Sequence, residues 1–278
     1  RRALLLALLA AIGARAQANA DAAPLRIVVP FAAGSAPDTV ARLLADPLAA
    51  ELGAPVVVEN MPGAGGMIGV AHVARAQADG RTVVLSGDAA LVMPDPQGLR
   101  RYDPQRDLVP ISRLVASANV LVVGKALGVS DLAELLAWLR RQAPGTVSYA
   151  SAGVGTSAHR GGLLLSRRLG VPMVHVPSAQ SPLPDVVAGR VNILFANIAT
   201  AMPLVRDGRL VALGVASAQR SPIAPDLPTL AEAGLPGVES AAWFGLLAPA
   251  GAPAGLLERW QRMERREAIG EWLGLAGG

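Results

Sequence analysis

Two loops of small residues carry the groups of this chain that are best suited to hold a ligand. The first loop runs over residues 31–38 (FAAGSAPD) and the second over residues 151–159 (SAGVGTSAH). Each loop follows an apolar run that is typical of a strand and precedes a run that is typical of an amphipathic helix. The free N–H groups and the positive dipole end of a helix N-terminus favour an anion. The pair of loops therefore predicts a site for one or two anionic groups.

Each loop carries polar side chains at the end that leads into the following helix. Ser35 and Asp38 have the spacing of a capping box, which favours a structural role for Asp38 over direct ligand contact. The Asp38 carboxylate could serve both purposes if the ligand carried an amine. Thr156 or Ser157 would cap the second helix. His159, in the first turn of that helix, is either a surface residue or a donor to an anion through a bond worth ~1.5–3 kcal/mol.

A dinucleotide fingerprint in the second loop leaves an enzyme function open. Residues 153–158 (GVGTSA) match the pattern G-x-G-x-x-G/A after a strand. The acid expected about 20 residues later is missing, because the next strand ends in His175-Val176-Pro177. A nucleotide-dependent enzyme that uses residues 153–158 therefore remains the alternative to a binding protein. A second glycine run, residues 62–69 (PGAGGMIG), has the wrong spacing and predicts a tight turn that lets a helix pack close to a sheet.

Composition excludes most catalytic and metal-binding chemistry. The chain has no cysteine and three histidines, and it contains neither an H-E-x-x-H nor a G-x-S-x-G motif. Thiolate catalysis, a disulfide scaffold and a thiolate zinc site are therefore excluded, and a serine hydrolase is disfavoured. We expect no catalytic residue, no metal and no cofactor. The net charge of +4 comes from scattered basic residues with only 3% aromatic residues, so we expect no nucleic-acid partner.

Short apolar strands alternate with helices along most of the chain. Its 278 residues, 52% of them hydrophobic, allow one large domain or two mid-sized domains. Strands are expected at residues 26–30, 55–59, 82–86, 120–123, 147–150, 173–176, 191–195 and 210–216. Helices are expected at residues 39–52, 68–76, 131–142, 158–169, 184–188, 230–233 and from 255 onward. This alternation predicts an α/β protein whose two loops follow the carboxyl ends of strands, where open α/β sheets bind ligands.

The first eighteen residues have the pattern of a secretory signal peptide. Arg1-Arg2 precedes an apolar run over residues 3–12, and the small residues end in Ala16-Gln17-Ala18. The apolar run is far shorter than the ~20 residues that a membrane-spanning helix needs. We therefore expect residues 1–18 to direct export to the periplasm and to lie outside the fold.

Several short motifs together resemble one family of binding proteins. The motifs are residues 26–31 (RIVVPF), 56–60 (VVVEN), 62–66 (PGAGG), 102–104 (YDP), 148–153 (SYASAG), 174–177 (VHVP), 231–237 (AEAGLPG) and 243–251 (WFGLLAPAG). They resemble the Bug family, the solute-binding proteins of tripartite tricarboxylate transporters. The resemblance extends from about Leu25 to Gly255, and its specificity comes from the number of matching segments.

The resemblance implies a two-lobed periplasmic-binding-protein fold of the Venus-flytrap type II. Each α/β lobe would hold a mostly parallel sheet flanked by helices. Residues 22–117 and 222–278, with an apparently shortened C-terminus, would form the first lobe, and residues 118–221 the second. The implied function is a non-enzymatic, monomeric periplasmic receptor for a small mono- or dicarboxylate. It would serve the membrane subunits of a tripartite tricarboxylate transporter or a sensor protein. A degenerate relative that binds nothing is a further alternative.

The resemblance also assigns candidate ligand-binding positions in the two loops and at nearby strand ends. These are Phe31, Ala33, Ser35, Asp38, Ser86, Ser151, Gly153, Gly155, Thr156, His159, Ser178 and Asn197. Family members hold carboxylates there largely through backbone groups and ordered waters.

This chain departs from the family pattern at several positions near the expected site. Residues 31–35 read FAAGS in place of Phe-Pro-Pro-Gly-Gly, and residues 178–180 read SAQ in place of Tyr-Lys-Gly. Ala196 stands where an acid is usual. The change at residues 178–180 removes an aromatic wall and a cation, so we expect a different pocket volume and ligand. Pro47 is expected to kink or shorten the first long helix because it removes an internal hydrogen bond.

Overall fold

The computed structural model describes residues 24–91, 98, 100–255, 257, 258 and 260. The predicted signal peptide, residues 1–18, lies outside the described residues, as does most of the segment after residue 258. Of the last predicted helix, residues 255, 257, 258 and 260 are described, and they are helical.

Strands and helices alternate along the described part of the chain. The strands are β1 (Leu25–Val29), β2 (Val56–Asn60), β3 (Thr82–Gly87), β4 (Leu108–Gly124), β5 (Val147–Ser151), β6 (Met173–Pro177), β7 (Ile193–Asn197), β8 (Leu210–Val215) and β9 (Ala241–Pro249). The helices are α1 (Ala36–Leu52), α2 (Met67–Ala74), α3 (Asp88–Leu91), α4 (Leu132–Arg140), α5 (Ser157–Leu169), α6 (Leu183–Val187) and α7 (Ile198–Arg206). The predicted α/β class is confirmed.

Strand β4 joins two sections of one mixed sheet. In the first section β1 pairs in parallel with β2 and β3, and β9 runs antiparallel between β3 and the first part of β4. In the second section β5 pairs in parallel with β6 and β7, and the rest of β4 pairs antiparallel with β7 and β8. We call the first section with α1–α3 the first lobe, and the second section with α4–α7 the second lobe. The sheets are more mixed than expected because the long strands β4 and β9 run antiparallel to their neighbours.

Each lobe buries apolar residues on both faces of its sheet. In β1, Ile27 packs in one cluster and Val28 in the cluster on the opposite face. In β4, Leu121 and Val120 divide in the same way between two clusters of the second lobe. Successive side chains of a strand point to opposite faces. The strands are therefore covered by helices on both sides, which explains their nearly continuous apolar sequence.

The chain crosses between the lobes twice. The first crossing lies within β4, where residues 108–118 pair with β9 and residues 119–124 pair with β7 or β8. Leu230, Leu235 and Val238 still pack in a core cluster of the second lobe, whereas Ala242 packs in one of the first. The second crossing therefore lies between Val238 and Ala242. The boundaries of the two predicted domains stay a prediction.

Helix α1 runs unbroken through Pro47, so the expected shortening is wrong. The helix continues to Leu52 and ends at Gly53, whose φ of 67° is left-handed and whose N–H donates to the carbonyl of Ala49 at 2.9 Å. Leu48, directly after the proline, is 2% exposed. Burying such a side chain is worth about 1.5–3 kcal/mol. This gain offsets much of the lost hydrogen bond.

The helix expected at residues 230–233 is a turn. Thr229 and Glu232 form a reciprocal capping box, in which the Thr229 N–H donates to Oε2 of Glu232 and the Glu232 N–H donates to Oγ1 of Thr229. A capping box indicates a helix start. Gly234 and Pro236 follow within a few residues and stop the helix before a second turn.

Four elements escaped the sequence analysis, and one of them is the four-residue helix α3. The first part of β4 has register shifts near residues 110–112 and 113–115, which disturb the alternation of apolar and polar residues. Strand β9 contains Gly245, and α7 contains Pro203, both of which are unfavourable signals for their elements. No helix among the described residues is long and apolar enough to cross a membrane.

Candidate ligand-binding site

A cavity of about 140 Å³ lies between the two lobes. The first lobe contributes the loop before α1, the residues after β2, and Phe244 of β9. The second lobe contributes the loop before α5, the segment before α6, and the β7–α7 junction. The lining segments lie within residues 30–37, 62–63, 152–158, 179–183 and 194–200. Phe31 and Phe244 meet edge to face with their ring centroids 6.2 Å apart, and they form an aromatic wall.

The first loop is held by Asp38 and Asn60 rather than by Ser35. Asp38 is 3% exposed, and its Oδ2 accepts from the Gly34 N–H at 2.8 Å. Asn60, at the end of the neighbouring strand β2, donates to Oδ1 of Asp38 and to the carbonyl of Phe31. Arg42 donates to the same carboxylate and to Oδ1 of Asn60. This network fixes the loop by its backbone and supports a structural role for Asp38, but the predicted capping box is wrong because Ser35 makes no side-chain capping bond.

The Asp38 carboxylate is ionised because it is surrounded by donors. Burial alone would raise its pKa. The hydrogen bonds from Arg42, Gly34 and Asn60 outweigh burial and hold the pKa of Asp38 below its usual value. The acidic group is therefore fully engaged within the first lobe, and it is not among the residues that line the cavity.

The second loop is held by Thr156 and Ser151. Thr156 caps α5, since its Oγ1 accepts from the His159 N–H at 3.4 Å, and it donates to the Gly153 carbonyl at 2.7 Å. The Oγ of Ser151 accepts from the Gly153 N–H at 3.0 Å and lies 2.6 Å from Nε2 of His175. His175 belongs to β6, the strand beside β5. The second loop is therefore held by His175 of a neighbouring strand, just as the first loop is held by Asn60 at the end of β2.

Two histidines with lowered pKa values lie behind the second loop. The rings of His159 and His175 have centroids 4.5 Å apart, and Tyr149 stacks on His175 at 5.1 Å. Burial, with a smaller effect from the charge of His159, lowers the pKa of His175 to about 4. Burial and the charge of Arg160 also lower the pKa of His159. Nδ1 of His159 accepts from the Gly155 N–H at 3.3 Å, so this ring supports the loop backbone.

A third helix also begins at the cavity. Asn197 is the N-cap of α7, and its Oδ1 accepts from the Ala199 N–H at 3.1 Å. Asn197 and Thr200 both line the cavity. The N-terminal ends of α1, α5 and α7 therefore surround one space, and each presents backbone N–H groups that have no partner within their own helix.

Two residues of the cavity lining carry a buried polar atom that has no hydrogen-bond partner among the described residues. They are Ser35, through its Oγ, and Asn197, through its Nδ2. The Oγ of Ser86 is also buried without a partner in the described part of the chain, but Ser86 does not line the cavity. Buried polar atoms are nearly always paired in folded proteins. The atoms of Ser35 and Asn197 are therefore available to a ligand or to water.

The cavity wall is electrically neutral in its side chains. None of the described residues that line it is an aspartate, glutamate, lysine, arginine or histidine. Within the described part of the chain, no group of three or more histidines and carboxylates could hold a metal ion. The positive ends of the helix dipoles are then the main fixed charges that a ligand meets.

The candidate residues divide into a wall and a supporting layer. Those that line the cavity are Phe31, Ser35, Thr156 and Asn197. Those outside the lining are Ala33, Asp38, Ser86, Ser151, Gly153, Gly155, His159 and Ser178. Their assignment to ligand binding stays a prediction. Asp38, Ser151, Gly155 and His159 take part in the hydrogen bonds that hold the two loops in place.

The sequence analysis also missed part of the wall. The missed lining residues include Asn119, Gln180, Thr200, Ala242 and Phe244. Asn119 donates to Oγ of Ser240 at 2.8 Å, and Ser240 donates to the carbonyl of Ser157 at 2.7 Å. This chain of bonds ties the start of α5 to the crossing strand β4. The motif at residues 243–251 could have revealed Phe244, but an isolated asparagine or threonine gives no such signal.

Comparisons with known proteins agree with this architecture. A family model described as the tripartite tricarboxylate transporter family receptor matches residues 40–268. The chain belongs to this receptor family. It is 36% identical to protein BugT of Bordetella pertussis over 253 residues, which are 87% of this chain and 76% of BugT. The resemblance to the Bug family is thereby confirmed.

Solved structures that are similar to this chain in sequence share the fold. MatC of Rhodopseudomonas palustris, solved with bound malate, has a TM-score of 0.81 and 32% identity, over 91% of this chain and 88% of MatC. Rpa4515 of R. palustris, solved with adipate, has a TM-score of 0.78 and 29% identity, over 90% of this chain and 97% of Rpa4515. The expected periplasmic-binding-protein fold is confirmed, and the chain is a solute-binding protein of that class.

Proposed function

We propose that this receptor captures a small organic mono- or dicarboxylate in the cavity between its lobes. The observation that carries the proposal is the convergence of α1, α5 and α7 on a cavity whose described side chains carry no charge. Each helix start presents free N–H groups and a positive dipole end. An anion is the ligand that this arrangement stabilises.

The energetics of the site favour hydrogen bonds to a charged group. Each helix dipole contributes about 0.3–2 kcal/mol toward an anion. Micromolar affinity requires about 8 kcal/mol. Charge-assisted hydrogen bonds from the free N–H groups of the helix starts, from Ser35 and from Asn197, at about 1.5–3 kcal/mol each, supply the larger part. No buried counter-charge in the described wall has to be desolvated.

The walls favour a small ligand with an apolar body. Phe31, Phe244, Pro62 and Leu183 face the cavity, and Ala179 and Ala196 leave it without bulky polar groups. Malate and adipate, named for two solved relatives, combine carboxylates with a short carbon chain. They support the carboxylate class, and the neutral lining here suits ligands without an amino group.

The nucleotide alternative has a specific weakness. In a dinucleotide site, the glycines of the fingerprint let the backbone approach a pyrophosphate. Here Gly153 lies against the backbone of Gly65 instead, and Thr156 uses its hydroxyl to cap α5. The receptor is accordingly proposed to act without turnover, as a monomer in the periplasm. It would pass its ligand to the membrane subunits of a tripartite tricarboxylate transporter or to a sensor protein.

Native mass spectrometry of the exported protein tests the proposal directly, because a retained ligand appears as added mass. A thermal-shift screen of mono- and dicarboxylates against NAD and NADP gives the comparison of classes. We expect carboxylates to raise the Tm and the nucleotides to leave it unchanged. Stabilisation by a nucleotide alone would favour the enzyme alternative. A Tm that no compound raises, with no retained mass, would favour a degenerate relative.

A further inference from the structure

Two glycine loops from opposite lobes touch backbone to backbone beside the cavity. The first is the glycine run before α2, and the second is the loop before α5. A Cβ atom on Gly65 would lie 2.6 Å from the carbonyl oxygen of Val154, and one on Gly153 would lie 2.6 Å from the backbone nitrogen of Gly65. Real Cβ atoms essentially never approach other atoms below 3.0 Å. Only glycine at both positions allows this contact.

The contact connects the two walls of the cavity. Pro62 and Gly63, on the first-lobe side, line the cavity, as do Ala152 and Thr156 on the second-lobe side. Gly153 is held firmly in its own loop, because its N–H and carbonyl both bond to Ser151 and its carbonyl also accepts from Thr156. Gly65 therefore meets a rigid part of the second lobe.

The glycine run thus does more than its sequence predicted. Gly69 fulfils the predicted structural role, since a Cβ there would lie 2.8 Å from Cβ of Pro30, where α2 packs on the end of β1. Gly65 has no such neighbour in its own lobe among its nearest atoms, which all belong to Gly153 and Val154. The close approach at Gly65 is therefore a contact between lobes.

We propose that Gly65 and Gly153 are positioning residues for the ligand, and that their contact sets the width of the cleft. A methyl group at residue 65 would have to withdraw by about 0.8 Å to reach an ordinary contact distance of 3.4 Å from Val154. A displacement of that size takes a hydrogen bond of ordinary length beyond its effective range. A ligand that bridges the helix starts of both lobes then loses its bonds to one of them. We expect Gly65→Ala to weaken carboxylate binding at least tenfold.

A matched control separates this effect from backbone strain. Gly65 has a φ of 65°, in the left-handed region that disfavours alanine. Gly170, at the end of α5, has the same φ of 65° and no heavy atom within 4 Å of its Cβ position. Gly170→Ala therefore carries the same strain without the interlobe clash. The two variants should lose similar stability without ligand, and only Gly65→Ala should lose affinity.

The experiment measures affinity and lobe separation in the same proteins. Calorimetry with malate and adipate as probes gives the Kd of wild type, Gly65→Ala and Gly170→Ala. Since the chain has no cysteine, Asp46→Cys on α1 and Arg168→Cys on α5 place one spin label on an exposed residue of each lobe. Pulsed electron spin resonance then reports the distance between the lobes with and without each probe.

The inference rests on the proposed function, and the experiment distinguishes the failure of one from the failure of the other. A Kd raised at least tenfold in Gly65→Ala alone, with a shifted distance distribution, supports the interlobe contact. Equal Kd values and equal distances in the two variants overturn it. If the wild type binds neither probe, malate and adipate are excluded as ligands. The distances without probe still decide the contact, since an unchanged distribution in Gly65→Ala would refute it.

Discussion

Replacing Ser35 by alanine should lower ligand affinity without lowering the stability of the fold. Ser35 is the N-cap of α1, but its side chain makes no capping bond, and its buried Oγ has no partner among the described residues. The loop is held instead through the Gly34 N–H and Asp38. The hydroxyl therefore contributes little to the unliganded fold. We therefore expect its partner to be a ligand in the cavity.

The substitution should lower the affinity for the ligand, whereas it should not lower the free energy of unfolding. A charge-assisted hydrogen bond to a carboxylate is worth about 1.5–3 kcal/mol, so its loss should raise the Kd roughly 10- to 150-fold. An unsatisfied buried hydroxyl costs about 1–3 kcal/mol, an upper bound here because water can enter the cavity. Its removal should leave the free energy of unfolding unchanged or slightly higher. Few substitutions of a helix N-cap have this combination of effects.

Calorimetry with the carboxylate that the thermal-shift screen selects, together with urea unfolding, measures both quantities. Ser166→Ala is the control, because its hydroxyl bonds the Val171 carbonyl at the far end of α5. We expect that control to lose stability and to keep its affinity. A Ser35→Ala protein that unfolds more easily and binds as tightly as wild type would refute the reasoning, since the hydroxyl would then support the fold.

Three further predictions concern the groups that hold the loops. Thr156→Ala should lose about 0.5–2 kcal/mol in urea unfolding and weaken ligand binding several-fold by calorimetry, because its hydroxyl both caps α5 and bonds Gly153; unchanged values in both assays would contradict the loop assignment. The free energy of unfolding should fall by about 1–2 kcal/mol between pH 6.5 and pH 4, because His175 takes up a proton in the unfolded chain, whereas its lowered pKa of about 4 keeps it unprotonated in the folded chain. In urea titrations over this pH range, His175→Gln should reduce the loss of stability. A variant that loses as much stability as wild type would show that the loss does not come from His175. Asp38→Asn should lower the free energy of unfolding by about 1–3 kcal/mol at pH 7. It should also remove the further loss of stability below pH 4 that the lowered pKa of Asp38 causes in wild type. A stability equal to that of wild type in urea unfolding would show that Arg42 and Asn60 hold the loop unaided.

The fold could be read from the sequence wherever local signals agreed with burial. The predicted strands at residues 82–86 and 173–176 and the helix at 158–169 match β3, β6 and α5 within about a residue at each end. The errors lie where local and tertiary signals disagree. Pro203 argues against a helix that the burial of Ile198 and Ala201 stabilises, and Thr229 begins a helix signal that tertiary packing does not continue.

The location of the candidate site could be predicted from the sequence, but not which residues line the cavity and which hold the loops in place. Strand–loop–helix order placed both loops at carboxyl strand ends, and both lie at the cavity. The sequence could not show that Asp38 turns inward to Asn60, which is 22 residues away, or that His159 faces His175. Such contacts depend on which strands are neighbours, and hydrophobic periodicity carries no information on strand order.

The support of the two loops would let the neutral cavity bind the proposed anion selectively. Backbone N–H groups are weak partners unless their directions are fixed, because a mobile loop would lose conformational entropy on binding. In each lobe the strand beside the loop supplies the anchor, Asn60 in the first and His175 in the second. In the proposed function, the fixed loops let the helix dipoles act where a lysine or arginine would otherwise be needed. Substitutions in these anchors should therefore weaken binding although neither side chain lines the cavity.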